Sequence, residues 1–171
     1  MRAGVLTVSD RAFSGDYEDK ARPLLREIIS GRLRWDVAAA ETVPDEVAII
    51  SETLLRWVDQ DGLDLIVTTG GTGFAPRDVT PEATRAIIER EAPGLSEAMR
   101  AASLKITPHA MLSRIVTGIR KKTLIINLPG SPKGAVENLQ VILPVLSHAV
   151  QLLQDDPASE KTHRSPLSNL L

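Results

Sequence analysis

Cysteine is absent from the 171 residues, which removes disulfides, thiolate metal sites and a cysteine nucleophile from consideration. Histidine is scarce: His109, His148 and His163 are scattered, so a histidine-built zinc site is not expected. The net charge of -2 lacks the basic excess of a protein that grips nucleic acid with its general surface. An anionic ligand would therefore have to be captured by local geometry. No apolar run approaches the length of a membrane span. The residues after Met1 enter a short strand-like run rather than the long apolar core of a signal peptide. The reading is thus of a protein without a membrane or nucleic-acid partner, in a reducing cytoplasm.

What is present is ordinary in bulk. A hydrophobic content of 43% and a charged content of 25% describe a soluble globular chain, long enough for one domain with its own core. The informative stretch runs from Asp64 to Glu82. Leu63-Asp-Leu-Ile-Val-Thr-Thr69 reads as a strand buried on both faces. Gly70, Gly71 and Gly73, around Thr72, then stop the strand and let a ligand approach the backbone closely. Thr80-Pro81 reads as a helix start, with threonine fit to cap and proline in the first turn. Strand, glycine loop and helix N-terminus together make a place where N–H groups converge on an anion. The loop also carries a carboxylate, Asp78, which suits a phosphate site only if a metal ion sits between.

Taken in order, Ala3 to Val8 is a strand candidate, followed by a polar loop through Asp19. Lys20 to Ser30 is a helix with Leu24, Leu25, Ile28 and Ile29 on one face, and Trp35 to Val43 a second strand. Asp45 is placed as the N-cap of a helix running to about Asp59. The helix from Thr80 is expected to reach about Arg90, and Leu95 to Leu104 to form another, with Met99 and Ala102 inward. After an irregular segment, Ile115–Arg120 and Thr123–Leu128 are strands. Pro129 to Gly134 is a second turn-rich loop before a last helix from Ala135 to Gln154, bent at Pro144. Trp35 and Trp57 are core or interface residues. Residues 1–154 are read as one domain and 155–171 as a polar tail. The alternation predicts a three-layer α/β sandwich, a mostly parallel sheet covered by helices on both faces. Ligands in such sheets bind beyond the carboxyl ends of the strands, which gathers the loops at Ser9, Gly70 and Pro129 into one site.

The chemistry has bland alternatives. The loop lacks the Gly-Lys-Ser/Thr ending of a P-loop and the third glycine of a dinucleotide fingerprint. Singly, Asp45 and Asp78 are acids of the kind that favour helix N-termini. Together, flanking a phosphate loop, they can share a magnesium ion. Ser9, Asp10, Ser14, Ser113 and Ser131 are loop groups of the sort that usually cap turns, and none sits in a nucleophile elbow. Lys105, Arg114 and Lys133 are each a solvated cation or a phosphate neutraliser.

Several ordered motifs carry a resemblance. Val43-Pro-Asp-Glu46, Thr69-Gly-Gly-Thr-Gly73, Arg77-Asp-Val-Thr-Pro-Glu-Ala-Thr84 and Leu128-Pro-Gly-Ser-Pro132 resemble the MogA/MoaB family of molybdenum cofactor biosynthesis. Leu104-Lys-Ile-Thr-Pro108 and Ala110-Met-Leu-Ser-Arg114 resemble the G domains of the plant and animal members, gephyrin among them. The long glycine-containing insertion that enterobacterial MogA proteins carry before the last helix is absent after Lys133. The resemblance implies molybdopterin adenylyltransferase activity, with molybdopterin and ATP as substrates, Mg2+ as cofactor and a homotrimer as the assembly. It implies hand-over of the product to a molybdenum insertase. It makes Asp45 and Asp78 the functional acids and metal ligands, and Gly70, Gly71, Thr72 and Gly73 the phosphate cradle. It places Ser9, Asp10, Ser103 and Ser113 on the pterin side, and Pro129, Gly130 and Ser131 near the nucleotide. The alternatives are a non-catalytic scaffold that binds molybdopterin or nucleotide, and a MoaB-like protein of a tungsten pathway.

Overall fold

A computed structural model describes residues 1–155, so the tail expected over 155–171 lies outside the described residues except for Asp155. The chain alternates at first between strands and helical segments: β1 (Arg2–Val8), a short α1 (Asp10–Phe13), α2 (Ala21–Ile28), β2 (Asp36–Val43), α3 (Val47–Asp59), β3 (Leu65–Thr69) and α4 (Thr80–Ile87). It continues with β4 (Arg90–Glu91), α5 (Pro93–Leu104), a 3-10 turn (Pro108–Leu112), β5 (Thr117–Arg120), β6 (Thr123–Leu128) and α6 (Pro132–Leu153). The six strands form one sheet in the order β2-β1-β3-β6-β5-β4. The first four in that order run parallel, while β5 is antiparallel to both β6 and β4. The three-layer sandwich is as expected.

Both faces of the central strands are buried, so their side chains alternate between two cores. Val5, Leu65, Val67, Leu124 and Ile126 pack with α2, Met99 of α5 and α6. Leu6, Val8, Ile66 and Ile125 pack with α3 and α4, around a fully buried Trp57. Asn127 joins the layers in the interior: its Nδ2 donates to Thr68 Oγ1 (3.0 Å) and Thr84 Oγ1 (2.9 Å). Its Oδ1 accepts from Val116 N at 3.2 Å, so this buried amide has partners on both sides.

The structure departs from the sequence reading at element ends. The loop after β1 contains α1, whose start is capped by Ser9. In α2, Leu25 and Ile29 are buried but Leu24 is exposed, and the helix loosens into a π turn over Ile29–Leu33. α4 stops at Ile87, and Arg90–Glu91 joins the sheet instead of extending that helix. Pro93 opens α5 at its first turn, where a missing N–H costs nothing. Within α5, Met99 is buried and Ala102 only half-buried. α6 runs unbroken through an exposed Pro144, and it begins at Pro132. By length and composition α6 could also cross a membrane, contrary to the expectation that no stretch would. Its apolar character has a packing cause: Leu139, Ile142, Leu146 and Val150 line the core.

Candidate active site

β1 is flanked by β2 on one side and β3 on the other, so the chain reverses its direction of growth between β1 and β3. A crevice opens beyond the carboxyl ends of strands at such a switch point. The loop after β3 enters it with Gly70 at φ 102° and Gly71 at φ 61°, backbone that side chains rarely adopt. A Cβ on Gly71 would also lie 2.8 Å from Asp45 Oδ1.

Four consecutive carbonyls of this loop are tied from behind. Thr80 Oγ1 donates to Gly70 O (2.8 Å) and Thr80 N to Gly71 O (3.1 Å). Arg114 N donates to Thr72 O (2.9 Å) and Arg114 Nε to Gly73 O (2.7 Å). The opposite side of the ribbon is open: among the described residues no acceptor takes the N–H of Gly71, Thr72 or Gly73. Backbone donors held rigidly and left unpaired are what an anion requires.

Asp45 and Asp78 are arranged alike. Asp10 N donates to Asp45 Oδ2 at 2.8 Å, and Ala75 N donates to Asp78 Oδ2 at 2.9 Å. In each the Oδ1 has no protein donor among the described residues. Burial, joined by the charges of Asp10 and Asp78, raises the Asp45 carboxyl above its ordinary pKa, against the lowering effect of the Asp10 N–H. The described residues contain no cluster of three or more acids or histidines able to cage a metal alone. A pair of half-tied carboxylates beside open amides fits magnesium, which takes few protein ligands and fills its shell with water and phosphate oxygens.

Two cavities meet here. One, of 220 Å³, is lined by Thr7, Ser9, Tyr17, Asp19, Lys20 and Asp45. The other, of 450 Å³, has Ile106, Ala110, Leu112 and Pro129 as apolar wall, with Ser103, Ser113 and Glu137 among its polar groups. Gly71, Asp78 and Gly130 line both. Each expected site residue except Asp10 lies at the wall of one or both cavities, with Thr72, Gly73 and Ser131 in the larger.

The grouping differs from the sequence reading in four respects. Ser9 lies in the smaller cavity and Ser103 and Ser113 in the larger, because the glycine loop stands between them. Pro129, Gly130 and Ser131 share the larger cavity with Ser103 and Ser113, since β6 leads directly into α6, which packs on α5. Asp10 lines neither cavity; Arg77 holds both its oxygens, at 2.9 and 2.8 Å, and keeps its pKa low. Asp45 does not cap α3: the N-cap is Glu46, without a side-chain bond, because the Asp45 carboxylate is turned to Asp10.

The proposed phosphate cations also resolve. Arg114 is committed to the loop, bonding Glu82 Oε1 and Asp78 O as well as Gly73 O. Lys133 pairs with Glu137 at 3.8 Å, and Lys105 lines neither cavity. Lys20, which sequence reading passed over as a helix-start residue, is the lysine at the smaller cavity. Among hydroxyls, Ser9 and Ser131 cap helices, and Ser103 Oγ accepts from Asn138 Nδ2 at 3.1 Å. Ser113 Oγ is buried at the wall without a protein partner.

Fold and site together define an α/β protein with an amide-lined switch-point crevice shared by two adjoining pockets. The family described as "Probable molybdopterin binding domain" matches residues 4–148, and the chain belongs to it. Molybdenum cofactor synthesis protein cinnamon of Drosophila melanogaster is 47% identical over 161 residues, 94% of this chain but 27% of the relative. This chain thus spans about a quarter of that longer protein. Molybdopterin adenylyltransferase of Escherichia coli K12 is 49% identical over 141 residues, covering 82% of this chain and 72% of the relative. The crystal structure of the molybdopterin biosynthesis enzyme MoaB from Thermus thermophilus superposes with a TM-score of 0.86 at 54% identity. That match covers 91% of this chain and 98% of the other.

Proposed function

We propose that the chain is a molybdopterin adenylyltransferase, which moves AMP from ATP to the terminal phosphate of molybdopterin and releases pyrophosphate. One observation carries this reading. Asp45 and Asp78 each keep one carboxylate oxygen tied and one open, on either side of an amide-lined loop where two pockets meet. Joining two phosphorylated substrates calls for that layout, with one pocket for each and the reacting phosphates at the junction.

The larger pocket suits the pterin. A pterin edge presents two adjacent N–H donors and a carbonyl, which the Glu137 carboxylate and the serine hydroxyls can match. An adenine edge sets an acceptor nitrogen beside its amino group, and a carboxylate repels it. The smaller, polar pocket with Lys20 then takes ATP. The nucleophile, a terminal phosphate, is largely ionised at neutral pH, so no histidine base is needed. The chain's own work is to align two mutually repelling phosphates and to donate the N–H groups of Gly71, Thr72 and Gly73 to developing charge. A magnesium ion held by the open oxygens of Asp45 and Asp78 would supply charge neutralisation on the phosphates.

The proposal extends to a homotrimer, supported by the exposed apolar Leu104, Ile106, Met111 and Leu112 along α5 and the following turn. It also extends to passage of the adenylylated product to a molybdenum insertase. The test is pyrophosphate release from molybdopterin, ATP and magnesium. Folded protein that binds both substrates and releases none would leave a scaffold instead.

A further inference from the structure

Arg77 precedes Asp78 in the chain, yet its side chain reaches the loop after β1. Its Nε donates to Asp10 Oδ2 at 2.9 Å and its Nη2 to Asp10 Oδ1 at 2.8 Å, a two-pronged grip that holds the carboxylate plane as well as its position. Asp10 and Asp45 then bind each other reciprocally. Asp10 N donates to Asp45 Oδ2 (2.8 Å), and Asp45 N donates to Asp10 Oδ1 (3.0 Å). The linkage therefore runs from Asp78 through the peptide bond to Arg77, from its guanidinium to Asp10, and from Asp10 to Asp45. It ties together the loops after β3, β1 and β2, beyond the backbone bond from Ser9 N to Val43 O (3.0 Å) at the end of β2.

We propose that Arg77 and Asp10 are positioning residues that set the separation and orientation of the Asp45 and Asp78 carboxylates, an inference that rests on those two acids being the centre of the transfer site. The geometry leaves Asp10 little other role, because both its oxygens are occupied and it lines neither pocket. It also separates position from stability. The Arg77–Asp10 pair is largely solvent-exposed, with side chains 59% and 42% accessible, and such a pair adds little to folding. What it contributes is a fixed spacing. The guanidinium fork is needed for this, since a lysine in its place supplies charge without the second prong.

The test measures binding of Mn2+ alone to the full chain by electron paramagnetic resonance, beside melting temperature and steady-state kinetics. Arg77→Ala is expected to melt with the wild-type protein, to bind Mn2+ ~10–100-fold more weakly, as loss of an outer partner of a metal ligand does, and to lose turnover in parallel. Its KM for molybdopterin should not move. Arg77→Lys should recover only part of the Mn2+ affinity. Asp10→Asn, which keeps an acceptor for Asp45 N but drops the charge that Arg77 grips, should resemble Arg77→Ala and serves if that variant fails to fold. Unchanged Mn2+ binding with a raised KM for ATP would make Arg77 a substrate contact and overturn the inference alone. Wild-type protein that binds no Mn2+ would overturn the metal reading and this inference with it.

Discussion

Two loops leave neighbouring parallel strands at the same edge of the sheet and are built in opposite ways. Residues 129–131 after β6 are short and mostly locally determined: Ser131 caps α6 and Pro132 opens it, with one distant tie from Thr69 Oγ1 to Pro129 O at 2.7 Å. Residues 70–79 after β3 are long; one turn of their own joins Asp78 N to Ala75 O and Ala75 N to Asp78 Oδ2, both at 2.9 Å, and the rest is held from outside. Thr80, Arg114 and Arg77 fasten them to α4, to the segment before β5 and to the loop after β1. The long loop carries the open amides and Asp78; the short one closes the larger pocket. A loop that must present donors and charge to a ligand can spend few of those groups on itself, so much of its rigidity has to be supplied from elsewhere. Damage to the long loop should therefore act at a distance and through chemistry, and damage to the short loop locally and through stability.

The largest expected effect tests the chemical end of that contrast. Asp78→Asn keeps an acceptor for Ala75 N but removes the charge, and should lower turnover on the order of 10³-fold, the scale of losing one preorganised electrostatic group. ATP binding, measured by calorimetry, should persist. Turnover equal to wild type would take Asp78 out of the mechanism and dissolve the distinction between the loops. The next effect concerns the remote strut. Arg114→Met removes two charge-assisted bonds to the long loop and one to Glu82 of α4, and should cost about 1–3 kcal/mol in denaturant unfolding for part-buried carbonyls left without their donor. A loss of kcat should accompany it although Arg114 lines neither main pocket; unchanged kcat would show that the glycine loop holds its shape unaided.

Those struts explain what was legible in the sequence and what was not. The parallel sheet followed from runs such as Leu65–Thr69, whose two-sided burial leaves a continuous apolar signal. The crevice followed from topology and the glycines, and the paired acids from motifs of the resembling family. What could not be read was commitment. Arg114 looks like a free cation in sequence because its partners, Gly73, Asp78 and Glu82, lie 32 or more positions away. Asp45 looks like a helix cap because local spacing allows it, and only the approach of Asp10, 35 positions earlier, diverts it. The two strand-like runs at Ile115–Arg120 and Thr123–Leu128 were legible, but Lys121 at φ 51° in the turn between them and the reversal of β5 in the sheet were not.

A smaller effect concerns the electrostatic cost of facing the long loop. Burial and the charges of Asp10 and Asp78 raise the Asp45 pKa above its ordinary 3.8, so the folded protein binds that proton more tightly than the unfolded chain. The ionised carboxylate thus opposes folding at neutral pH. That opposition fades as pH falls through the raised value and is gone below 3.8. Asp45→Asn, neutral throughout and still able to accept from Asp10 N, should melt above wild type at pH 7 in metal-free buffer, with the gap closing on acidification. A gap that is absent at pH 7, or that widens in acid, would mean the three carboxylates are not in tension.

The smallest effect falls on the short loop and separates its two possible duties. Ser131 Oγ accepts from Gly134 N at 3.2 Å, so Ser131→Ala should cost about 1 kcal/mol, as removal of an N-cap does, whereas Ser131→Gly should cost only a few tenths. Because Ser131 also lines the larger pocket, the two variants form a matched pair. If the hydroxyl only caps, Ser131→Gly keeps both stability and KM for molybdopterin, and the short loop is structural as its local construction implies. If Ser131→Gly is as stable as wild type yet raises that KM by the ~10-fold expected for a lost neutral hydrogen bond of about 1.4 kcal/mol, the loop contributes binding as well. The contrast between the two loops would then be one of how rigidity is supplied, with both of them touching substrate.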